Sequence, residues 1–114
     1  MVGTFASARS WVGSGAKLVL FAVLRLEDGY GSTIRQEIER RTPRRVSAGA
    51  VYTTLDRLEK KGFLKSWVGD PTPQRGGRRR KFYALRPPAV VALRQAYRAF
   101  TAMADGLQSR LALK

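Results

Sequence analysis

The 114-residue chain contains neither cysteine nor histidine. The first absence excludes disulfides, thiolate metal sites and cysteine nucleophiles, and it leaves the compartment unreadable from redox chemistry. The second removes the commonest general base and a common metal ligand, so hydrolytic and metal-dependent catalysis fall away and no cofactor is expected. Acidic residues are scarce as well, with 8 Asp and Glu against 22 Lys and Arg. Of these few acids, Glu37 and Glu39 stand i, i+2 and diverge on a helix, which does not suit paired acid–base work. A long hydrophobic run is also missing. The apolar stretch Leu18–Leu24 (LVLFAVL) is too short to span a bilayer and is followed by RLEDG, not by the small residues of a cleavage site. A cytoplasmic protein without membrane involvement is the simplest reading.

What is present starts with charge. A formal +14 exceeds what solubility requires and points to a polyanionic partner, nucleic acid first. An Arg-rich composition by itself gives the same total, so the placement of the charge decides. Arg75, Arg78, Arg79, Arg80 and Lys81 fall within seven positions around two glycines, so the charge is concentrated. The glycines of GSGAK suggest a phosphate loop, but the Walker spacing fails and no Ser or Thr follows Lys17.

Residues 1–14 mix Gly, Ser and scattered apolar groups without a period and read as a loose arm, from which Trp11 can pack on the body. A first, largely buried helix runs from Ala16 to about Glu27 and stops at EDG. A second covers GSTIRQEIERR, where Thr33 and Gln36 have capping-box spacing and Ile34 and Ile38 form an apolar pair; Pro43 ends it. The third starts at Ser47 as N-cap and ends before Gly62. Val51, Leu55, Leu58 and Ala48 share its inner side, while Gly49, Thr53, Arg57 and Lys60 face outward with Tyr52 on the flank and Asp56 beside them. Asp56 and Glu59 read as solvated or paired with Lys60 and Arg57.

FLKSWV and KFYAL then read as two strands joined by the basic segment GDPTPQRGGRRR. Pro87-Pro88 starts a final helix of roughly 24 residues, about 36 Å long. Along it Val90, Leu93, Tyr97, Phe100, Ala104, Leu107 and Leu111 recur at alternating steps of three and four, a seam for a second chain that a helix packed wholly on its own domain would also produce. Gly106 marks a bend or an early end.

Three helices followed by a two-stranded hairpin define a winged helix-turn-helix, a mainly α, α+β fold over residues 15–86, with residues 87–114 as a dimerisation helix. Double-stranded DNA is the partner this implies. Ser47, Gly49, Tyr52, Thr53, Arg57 and Lys60 on the third helix and Arg75, Arg78, Arg79 and Arg80 on the wing are the candidate contacts.

DGYGSTIRQEIERRT, VSAGAVYTTLDRLEKKGFL and GDPTPQRGGRRRKFYAL together resemble the PadR family of bacterial transcriptional regulators, over roughly residues 16–97. The resemblance implies a homodimer joined mainly through the C-terminal helix, with each third helix in a major groove of a pseudo-palindromic site. It also implies repression, relieved in some members by a small aromatic or lipophilic effector. By the same match Tyr30 is the family tyrosine near the start of the second helix and Tyr52 the one on the recognition helix, which adds Tyr30 to the candidate DNA contacts, and Tyr83 and Leu85 end the wing strand facing inward. RPP at 86–88 departs from the family's Thr-Pro-x-Gly pattern and leaves the exact start of the last helix open. Tyr97 and Phe100 are the residues that would line an effector cleft, though aromatic seam residues are more often plain core. A non-specific architectural factor and a protein-interaction adaptor are the competing functions.

Overall fold

Leu20, Ile34, Leu55, Leu58 and Leu64 are fully buried, and burial of each such side chain contributes about 1.5–3 kcal/mol. They come from three helices and one strand, so a single apolar cluster draws the chain together. The computed structural model describes residues 14–69 and 80–112. Trp11 with the rest of the N-terminal arm, and Arg75, Arg78 and Arg79 of the segment between the strands, lie outside the described residues.

Helix α1, Ser14–Arg25, begins two residues before the apolar pattern and buries Val19, Leu20, Ala22 and Val23. Strand β1, Gly29–Tyr30, leads directly into α2, Gly31–Arg41. Thr33 does not cap α2 with Gln36. It lies inside the first turn and its hydroxyl reaches back, accepting from Tyr30 N–H at 3.1 Å and donating to Tyr30 C=O at 3.0 Å. Pro43 and an extended Thr42 terminate the helix, and the Thr42 hydroxyl donates to the Ile38 carbonyl at 2.8 Å. Helix α3, Ala48–Lys60, buries Val51, Leu55 and Leu58 as its spacing requires. Ala48, expected on that inner side, is exposed.

Strands β2, Leu64–Val68, and β3, Lys81–Leu85, pair antiparallel, with Leu64 opposite Leu85 and Ser66 opposite Tyr83. The expected two-stranded hairpin is a three-stranded sheet of order β1-β3-β2, with Gly29 opposite Tyr83 and Tyr30 opposite Phe82. Two residues carry no period, so β1 is visible only once β3 offers its free edge. Tyr83 points into the core from β3, and burial pushes its phenol up, keeping it neutral.

Helix α4 is Pro87–Ala104, 18 residues and about 27 Å, not the roughly 24 residues expected. Prolines occupy its first two positions, where their missing N–H groups lose no partner. It ends at Gly106, whose φ of +83° leaves the helical region. Ala89 and Leu93 bury its first half against the domain.

Within α2 the nearly buried Glu37 carboxylate takes both following arginines, Arg41 through Nε and Arg40 through Nη2 at 2.9 and 3.1 Å. The Arg41 hydrogen bond first and the Arg40 bond second hold its pKa below the ordinary 4.5, against the opposing effect of burial. A depressed carboxylate stabilises the fold above its unfolded-state pKa and loses that contribution as pH falls through its folded-state value. Glu37→Gln should therefore lower the denaturation midpoint at neutral pH, and its deficit against the wild type should shrink below about pH 4.5, as followed by urea melts across a pH series.

Candidate nucleic-acid interface

The outer side of α3 is set by its inner side. With Val51, Leu55 and Leu58 in the core, the 100° step turns Gly49, Tyr52, Thr53, Asp56, Arg57 and Lys60 to solvent, and all six are exposed. Ser47 caps the helix as its sequence implies, its hydroxyl accepting from Ala50 N–H at 3.0 Å. The turn before it is held by Glu39, whose carboxylate accepts from Val46 N–H at 3.1 Å. Glu37 and Glu39 thus diverge, one to the arginines of its own helix and one to the turn.

Two positions on this surface have opposite steric meaning. A Cβ on Gly31 would fall 2.4 Å from Cε1, Cζ and the hydroxyl of Tyr52, so the Tyr52 ring lies against the start of α2 and only glycine admits it there. A Cβ on Gly49 would meet nothing within 4 Å. The fold itself does not demand glycine at 49, although glycine in a helix costs up to about 1 kcal/mol relative to alanine.

Tyr30, expected as a direct contact, is half-buried and engaged on both sides. The Arg80 guanidinium stacks 4.6 Å from its ring centre, and its edge meets Phe82 at 5.7 Å and 88°. Phe82 in turn stacks on Trp67 at 6.0 Å. This row occupies the outer face of the sheet, because Tyr30, Phe82 and Trp67 are opposite one another in the strand register. On the inner face Lys81 Nζ lies 3.3 Å from Glu59 and 5.7 Å from the Tyr83 ring centre. Its pKa is held above the ordinary 10.5, foremost by the adjacent Tyr83 phenol and then, against burial, by Glu59, so Lys81 stays charged.

Asp56 pairs with Lys60 at 3.2 Å, as its i, i+4 spacing allows. Glu59 does not pair with Arg57 or Lys60; it bonds Ser66 and Lys81 across the sheet. Sequence reasoning missed this because Lys81 is 22 positions away and no local period links them.

Of the C-terminal seam, Leu93 is buried in its own domain and Val90 is half-buried. Leu107 and Leu111 lie in turns beyond the end of α4, since Gly106 breaks the period that would align them. The seam's exposed members on α4 are Tyr97 and Phe100, each 64 % exposed, with Met103 at 79 % beside them and Ala104 half-buried. Phe21 and Leu24 of α1 are also exposed, and Lys17 Nζ sits 5.4 Å from the Phe100 ring centre, so α1 lies alongside this strip.

The transcriptional regulator PadR-like family matches residues 20–88, from the middle of α1 to the start of α4. The chain belongs to this family. PadR-like proteins are transcriptional regulators, not enzymes. Among the described residues no group of three or more His, Cys, Asp or Glu could hold a metal ion. The fold is shared with solved relatives. A PadR family transcription regulator from Clostridium difficile has a TM-score of 0.71 at 24% identity over 87% of this chain and 99% of that one. A PadR family transcriptional regulator from Eggerthella lenta scores 0.68 at 22% identity, covering 96% and 92%. Bacillus subtilis PadR, solved in complex with operator DNA, scores 0.65 at 15% identity, covering 75% of this chain and 48% of its own. No curated protein matches the sequence. Among the described residues no helix is long and apolar enough to cross a membrane.

Proposed function

We propose that this PadR-like regulator is a repressor that reads a pseudo-palindromic operator in duplex DNA as a homodimer. The observation that carries the reading is Gly49. On the exposed side of α3 the chain keeps a residue that weakens its own helix and that its own packing does not require, which is intelligible if another molecule's surface comes close there. Thr53, Arg57 and Lys60 continue the same side with donors suited to base edges and phosphate. Ser47 leaves the positive end of α3 directed at a phosphate, and Tyr52 presents its hydroxyl beside the start of α2. Arg75, Arg78 and Arg79 add concentrated charge between β2 and β3. Likeness in fold to a relative solved with operator DNA supports the same mode here. Such a regulator works where the chromosome is, in the bacterial cytoplasm.

The exposed strip of Tyr97, Phe100 and Met103 supports a second copy as its cover, with Phe21 and Leu24 alongside. Two α3 helices then face successive turns of one duplex. Tyr97 and Phe100 also supply the material for a small aromatic effector at the junction, although close packing of the two copies needs none.

The protein should prefer the fragment upstream of its own gene over random duplex by about 10³-fold or more, with affinity falling steeply as salt rises. A ratio near one would favour a non-specific architectural role. Gly49→Ala should keep or raise the melting temperature while weakening operator binding; a variant that binds as well as the wild type would remove the main support for the reading. Arg57→Ala should reduce operator affinity more than random-duplex affinity, whereas Arg79→Ala should reduce both alike, by filter binding or anisotropy. Tyr97→Asp should convert a dimer to monomers in sedimentation runs.

A further inference from the structure

Glu59 poses an electrostatic question. It is an acid on the helix proposed to meet a polyanion, yet it is only partly exposed and is not paired within its helix, as Asp56 is with Lys60. Its carboxylate reaches the sheet, where Oε2 accepts from the Ser66 hydroxyl on β2 and Oε1 lies 3.3 Å from Lys81 Nζ on β3. Ser66 and Lys81 are diagonal neighbours on the inner face, since Ser66 opposes Tyr83 and Val68 opposes Lys81. One side chain of α3 therefore ties both strands of the wing stem.

The adjacent residue is held from the other side. Arg80 precedes Lys81 and by strand alternation faces the opposite way, where its guanidinium stacks 4.6 Å from the centre of the Tyr30 ring. Tyr30 is the residue from which α2 starts, and its ring is fixed by the edge contact with Phe82. The Gly69 N–H donates to the Arg80 carbonyl at 2.8 Å, so the ladder continues through this point. A stem restrained on one face can hinge about that contact. Restraint on both faces, by α3 on one and by the start of α2 on the other, removes the hinge.

We propose that Glu59 is a positioning residue that locks the wing stem to the recognition helix, with Tyr30 holding the opposite face through Arg80, so that helix and wing stem meet the duplex as one rigid reader. The inference rests on the duplex-binding reading above. It has a consequence opposite to simple electrostatics. Removing an acid from a DNA-facing surface raises the local positive potential and should tighten binding. If Glu59 sets the angle of the wing stem, removing its charge should weaken binding instead.

The test uses the full-length protein and a random-sequence duplex of about three helical turns, with affinity measured over a salt series. Asp56→Asn, which deletes an acid paired only within α3, should bind more tightly than the wild type. Glu59→Gln, with the same gain in net charge, should bind about 3- to 10-fold more weakly. Glu59→Lys combined with Lys81→Glu leaves net charge unchanged and rebuilds the ion pair in reverse, and it should return affinity to within about 2-fold of wild type. Hydrogen exchange supplies a readout independent of DNA: Glu59→Gln should speed amide exchange at Gly69 and along β3 while leaving the core amides of α1 protected. Tighter binding by Glu59→Gln, matching Asp56→Asn, would overturn the proposal, as would unchanged exchange at the stem. If the wild type fails to bind duplex at all, the functional reading fails, and the exchange result still decides whether Glu59 restrains the stem.

Discussion

Burial of Leu55 and Leu58 of α3 in one cluster with Leu20, Ile34 and Leu64 is the constraint on which the rest of the molecule depends. A helix has one rotational degree of freedom about its axis, and placing that apolar stripe in the core removes it. Once it is removed, the direction of every outward side chain on α3 is determined. The surface with Gly49, Thr53 and Arg57 is therefore a consequence of packing on the other side of the same helix. Loss of one of these leucines would cost both stability and the aim of the exposed face.

The scarcity of acids takes on meaning in the same frame. Glu37 gathers Arg40 and Arg41, Glu39 holds the turn before α3, and Glu59 ties α3 to the wing stem. Three of the few carboxylates thus hold contacts within the fold. The formal charge of the chain is still +14, which is what the polyanionic partner proposed above would meet. Net charge alone described a partner class, and the internal pairing shows which cations are already engaged.

Helix α4 divides its apolar side between two tasks. Its first half, through Ala89 and Leu93, belongs to the core of the winged domain. Its second half, through Tyr97, Phe100 and Met103, runs past that core and is left exposed by the described residues, with Lys17 beside the Phe100 ring. The helix is shorter than the heptad pattern suggests, because Gly106 at positive φ ends it before Leu107 and Leu111 can join the stripe. A glycine in the left-handed region stops a helix whatever hydrophobic period follows.

Local signals in the chain were sufficient for the helices and the two longer strands. Capping by Ser47, the stop at Pro43, the paired prolines of α4 and the inner stripe of α3 each act over a few residues, so periodicity and caps expose them directly. The amino-acid sequence by itself also determined the outward set on α3 and the concentration of charge between β2 and β3. Only the tertiary structure decided the third strand, the stacking of Arg80 on Tyr30 that takes Tyr30 out of the freely exposed set, and the partner of Glu59. It also divided the C-terminal seam into buried and uncovered halves. These features join residues far apart in the chain, and their stabilisation appears only when folding closes the intervening loops, so no local period records them.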